Sequence, residues 1–177
     1  AAKLCIAQFT GRKPYWLYAA RIGSELLLRL GRHEEARLLF EAILKARAIP
    51  WAKLGVARAQ IEAGHPTRAV ATLIGEDPGY ADAYDVLGRA QVEMGHFAEA
   101  IETYRTASEL TPDSVVRLQK LGMMCYYMGE RATAVQVLSR AVVLGIDSKL
   151  FDYQSLVLLA FAYFDEKDGK GIDRCIA

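Results

Sequence analysis

The chain has 177 residues, 53% of them hydrophobic and 24% charged, with a net charge of +1. That balance supports a buried core, argues against wholesale disorder, and lacks the basic excess that a dedicated nucleic-acid binder carries. The longest nearly uncharged apolar run, "SLVLLAFAYF" at 155–164, has about half the length a bilayer-spanning helix needs, and "AAKLCIAQFTGRKP" at the start lacks the layout of a secretory signal.

In chain order, residues 1–14 read as the tail of an upstream helix, with Pro14 in the terminating place. Four octets then punctuate the sequence: "RLGRHEEA" (29–36), "EAGHPTRA" (62–69), "EMGHFAEA" (93–100) and "YMGERATA" (127–134). Each pairs a glycine with an alanine five residues later, as Gly31/Ala36, Gly64/Ala69, Gly95/Ala100 and Gly129/Ala134, at steps of 33, 31 and 34 residues. Periodic apolar residues flank every octet. Around the third, Tyr84, Leu87, Gly88 and Gln91 share one helical face, and Phe97, Ala100, Ile101, Tyr104, Ala107 and Ser108 share another.

Glycine accepts the left-handed conformation that ends a helix, so each octet reads as the hinge of a helical hairpin. Thr111-Pro112-Asp113 closes the third hairpin, and Asp113 or Ser114 is placed to cap the next helix. Gly88 and Ala100 are small where the two backbones of that hairpin approach. The expected organisation is four hairpins at 15–49, 50–80, 81–113 and 114–144, followed at 145–177 by a linker, "GIDSKLFD", and a degenerate or truncated fifth hairpin. In the second hairpin Leu54-Gly55 fits when counted from the helix start, yet Gly64 then comes two residues late and the following helix is about three residues short. Both chain ends look cut from something longer.

This pattern resembles the tetratricopeptide repeat, a helical hairpin with a period of about 34 residues. The family's preferred positions read here as Tyr84, Leu87-Gly88, Gln91, Gly95, Ala100, Tyr104, Ala107 and Pro112; only Gln91 departs, at an aromatic position. The next repeat gives Leu118, Leu121-Gly122, Cys125, Gly129, Ala134, Leu138 and Ala141, without the final proline. The resemblance implies an all-α, right-handed solenoid of about four hairpins plus partial ones at both ends. Its first helices would line a concave groove, and each hairpin would bury its apolar face against its neighbours.

Little in the chain points to chemistry. His33, His65 and His96 follow successive turn glycines and would stand too far apart to share one ion. The acidic pairs Glu34/Glu35 and Asp165/Glu166 read as solvated charge at helix ends, and "DGKG" (168–171) as a turn. No GxSxG, HExxH, Walker or GxGxxG motif occurs. The three cysteines, Cys5, Cys125 and Cys175, are widely spaced with no CxxC pair, which suits reduced thiols in a cytoplasmic protein. No enzyme activity, cofactor or metal is expected.

By the repeat register, the residues expected to face the groove are Trp51, Arg58, Asp85, Arg89, Gln119, Met123, Tyr126, Tyr127 and Phe161. Arg, Tyr, Trp and Met are enriched where proteins grip one another, so the expected partner is a peptide or helix of another protein, with no nucleic acid and no membrane. Family members that hold chaperone C-termini use lysines, arginines and asparagines; this chain has no asparagine and carries Glu25 and Glu62 near the groove instead. The stretches "PWAKLGVARAQIEAG", "YADAYDVLGRAQVEMG" and "FDYQSLVLLAFAYFD" look like the repeat region behind a receiver domain in some bacterial two-component response regulators. An alternative expectation is an oligomerisation or spacer module, homodimeric through apolar solenoid ends.

Overall fold

The computed structural model describes residues 16–75, 79–149 and 153–176, all of them in helices and short connections. The expectations for residues 1–14, Pro14 included, lie outside the described residues. Among the described residues ten helices follow in chain order: α1 (Trp16–Arg29), α2 (His33–Ala46), α3 (Pro50–Glu62), α4 (Pro66–Leu73), α5 (Ala81–Glu93), α6 (Phe97–Leu110), α7 (Val115–Tyr127), α8 (Arg131–Ser148), α9 (Tyr153–Asp165) and α10 (Gly169–Ile176). No strand occurs among the described residues. The fold is all-α, of the helical-hairpin solenoid class. None of the described helices is long and apolar enough to cross a membrane.

The octets at Gly31, Gly64 and Gly129 are hinges built from the same backbone bonds. Gly31, Gly64, Gly95 and Gly129 adopt positive φ angles of 71°, 78°, 78° and 85°, a region that costs other residues roughly 1–2 kcal/mol. The residue after the glycine donates its N–H back into the helix just ended: Arg32 to the Leu27 carbonyl (2.9 Å), His65 to Gln60 (2.8 Å) and Glu130 to Cys125 (2.8 Å). That residue's own carbonyl then accepts from the alanine four positions on, as in Ala36 to Arg32 (3.0 Å) and Ala134 to Glu130 (2.9 Å). One residue therefore closes the first helix and opens the second. Ala36, Ala69, Ala100 and Ala134 are all fully buried.

The chain divides into two compact units, residues 1–95 and 96–177. In the first, α3 is apolar on both sides. Ala52, Val56 and Ala59 join a core with Phe40, Leu39 and Ile43 of α2, while Leu54, Ala57 and Ile61 join a second core with Ala69, Ala83, Val86 and Ala90. A helix apolar all round must be covered on several sides, and α3 is packed against α1, α2, α4 and α5. In the second unit, Leu118, Leu121 and Cys125 of α7, Leu138 and Ala141 of α8, and Leu158, Leu159 and Ala162 of α9 are buried.

Three local expectations change. First, α3, α5, α7 and α9 each have 13 residues and end two before their left-handed residue, so Gly64 is not late. Gly55 is the displaced residue. A Cβ there would lie 2.3 Å from the Phe40 ring, whereas one on Gly122 would meet Leu138 at 2.6 Å. Buried Ala57 takes the place, seven before the turn glycine, that Ser24, Gly88 and Gly122 take elsewhere. Second, α4 has 8 residues against 14 in α2 and α6, shorter by six (14 − 8 = 6) rather than about three. Third, the stretch expected as a linker from Gly145 is helical to Ser148, because nothing stops α8 before Lys149 takes a left-handed conformation, φ 58°. Ser114 stands at the N-cap of α7, but its side chain makes no cap bond.

Candidate functional site

The first unit's four candidate residues sit on α3 and α5 and are largely engaged with neighbouring helices. Trp51 packs edge-to-face on Phe40, ring centroids 6.4 Å apart, and the Arg21 guanidinium lies 5.1 Å from its ring. Arg58 Nη1 donates to Glu25 Oε1 on α1 at 2.9 Å, and Arg89 Nη2 pairs with Glu62 Oε1 on α3 at 2.7 Å. The two arginines thus tie successive first helices together instead of presenting free charge. Asp85 is half-buried on the same helix as Arg89.

The second unit places its five candidates on α7 and α9. Gln119, Met123 and Tyr126 are half-buried, and Tyr127 and Phe161 are exposed. Tyr126 packs edge-to-face on Tyr127 at 5.6 Å. It is also held by Arg131, whose guanidinium lies 4.4 Å from the ring and donates to the Tyr126 carbonyl. Arg131 Nε reaches Asp165 Oδ2 at 2.7 Å, so this side chain at the start of α8 links the ends of α7 and α9. No sequence pattern signals that hub, since its partners are separated by turns and whole helices. The exposed apolar side chains include Tyr127 and, on α9, Tyr153, Val157, Phe161 and Phe164.

The residues considered for chemistry are occupied in other ways. Glu34 is held by Arg37 (2.8 Å) and Glu35 by Arg32 (2.6 Å). Hydrogen bonds from these arginines keep both carboxyls below the usual range, the opposite of what a general acid needs. His96 Nδ1 lies 3.4 Å from Glu99, His65 is exposed, and His33 is half-buried. Among the described residues no group of three His, Cys, Asp or Glu side chains could hold a metal ion. Burial, followed by the charge of Glu130, pushes the Cys125 thiol up to about 11, which leaves it protonated and inert at neutral pH. Gln91, at the position where the repeat family prefers an aromatic, keeps a buried side-chain oxygen with no partner.

Serial helical hairpins, hinged by left-handed glycines and small where helices cross, define a repeat protein. Residues 81–114 match the tetratricopeptide repeat family. The fold is similar to that of TTC0263, a thermophilic tetratricopeptide-repeat protein of Thermus thermophilus, at 23% identity and TM-score 0.68 over 90% of this chain and 87% of that one. It is also similar to MamA 41-end from Desulfovibrio magneticus RS-1, at 17% identity and TM-score 0.71 over 90% of each chain. A curated relative, mouse Superkiller complex protein 3, is 28% identical over 159 residues; this chain spans 84% of its own length in that match but only 10% of the relative's. Tetratricopeptide repeats in general mediate contacts between proteins and do not catalyse reactions.

Proposed function

We propose that this chain is a non-enzymatic protein-interaction scaffold whose outward first-helix faces hold a segment of a partner protein. The observation that carries the reading is the exposure of Tyr127 on α7 and Phe161 on α9, with Met123 and Tyr126 of α7 half-buried. Aromatic and methionine side chains supply large contact area and are enriched at interface centres. In the first unit, Trp51, Asp85 and the Glu25–Arg58 and Glu62–Arg89 pairs present a polar, internally neutralised face that suits hydrogen-bonding contact more than capture of a net charge. The free thiols Cys125 and Cys175 suit a reducing, cytoplasmic setting.

The test is affinity capture from the native host, with wild-type bait beside a Met123→Ser/Tyr127→Ser variant, read by mass spectrometry. The expected result is a partner retained by the wild type and lost by a variant of unchanged helicity. Equal retention by both would remove this face as the binding surface. A swap of Glu25→Arg with Arg58→Glu keeps that ion pair while reversing its direction, and so asks whether a partner reads the first unit's charges.

A narrower version makes the chain the output region of a receiver-domain response regulator. It is supported by the resemblance of "PWAKLGVARAQIEAG" and "FDYQSLVLLAFAYFD" to such regions. A native gene that encodes no receiver domain would remove it.

A further inference from the structure

We draw no further inference here: the strongest candidate, the exposed apolar side of α9 at Tyr153, Val157 and Phe164 beside the open cleft against α10, carries none because nothing in the structure shows what covers it.

Discussion

The residue six before each left-handed turn position occupies the same place on every first helix, but its chemistry divides between the two units. In residues 16–95 it is Glu25, Arg58 and Arg89; in residues 96–176 it is Met123 and Phe161. The first unit resolves its own charges, with Glu25 paired to Arg58 at 2.9 Å and Glu62 to Arg89 at 2.7 Å, each pair bridging one first helix to the next. The second leaves hydrocarbon exposed at Tyr127 and Phe161. Hinges and crossings are constrained by backbone geometry and repeat almost unchanged. The outward positions are free of that constraint, and at this one the two units differ, stitched by paired charges in the first and apolar in the second, although α1 exposes Tyr18 and Ile22 as well.

The largest expected effect probes what the units share. Both seat a bulky side chain on a glycine, a Phe40 ring on Gly55 and Leu138 on Gly122, and both bulky residues are fully buried. Gly55→Ala should destabilise by about 2–3 kcal/mol, because three carbons of the fully buried Phe40 ring lie within 2.5 Å of the new methyl group and must move together, and overpacking outweighs the roughly 1 kcal/mol gained in helix propensity. Gly122→Ala should cost less, about 1–2 kcal/mol, since the overlap is shallower, with Leu138 Cγ and Cδ2 at 2.6 and 2.7 Å against 2.3–2.5 Å for the Phe40 ring. Urea midpoints measure both. In the Gly55→Ala background, Phe40→Leu should recover part of the loss. No recovery, or equal costs at the two glycines, would mean the crossings are not held by the side chains named.

The next effect separates the two kinds of arginine. Arg131→Met removes the ion pair to Asp165, the stacking on Tyr126 and the bond to its carbonyl together. It should cost about 1–2 kcal/mol and reduce hydrogen-exchange protection along α9. Arg58→Gln and Arg89→Gln each remove a single, more exposed pair, for which about 0–1 kcal/mol is expected. Added salt should shrink that small loss further while leaving most of the Arg131 effect. Similar losses at all three arginines would erase the distinction between a stitched face and a docked hairpin.

How much of this is legible in the sequence follows from the range of each interaction. The hinges are readable because a glycine and an alanine five residues apart encode a purely local geometry. The crossing in the second repeat is not, because Gly55 and Ala57 are both small, and only the position of the Phe40 ring decides which of them its own hairpin uses. Arg58 and Arg89 can be placed on the outward face, but their partners lie 33 and 27 residues away, beyond any helical periodicity. Helix α8 overruns its expected end because Gly145 is buried inside the helix instead of ending it. The outward stripe of α9 is partly visible, since the repeat register puts Phe161 on the groove side. A helix apolar all round carries no pattern to say which side faces water, so Tyr153 and Val157 do not stand out.

The smallest expected effect concerns the fifth hinge, where Lys167 stands in place of glycine. Its φ is 58°, and the hinge bonds persist: Lys167 N–H to Phe164 (3.0 Å) and Asp168 N–H to Tyr163 (2.9 Å). Asp168 adds what the glycine hinges lack, a carboxylate accepting the Gly171 N–H at 3.0 Å to cap α10. Lys167→Gly relieves the left-handed penalty of about 1–2 kcal/mol but gives the unfolded chain more freedom, so the net gain should be under about 1 kcal/mol. Gly129→Lys should lose a similar amount for the reverse reason, and Asp168→Ala about 1 kcal/mol through the lost cap. Hydrogen exchange along α10 and α8 reads these changes one hinge at a time. If Lys167→Gly destabilises instead, the side chain at that hinge contributes more than its backbone conformation costs, and the fifth turn is held by a different device from the other four.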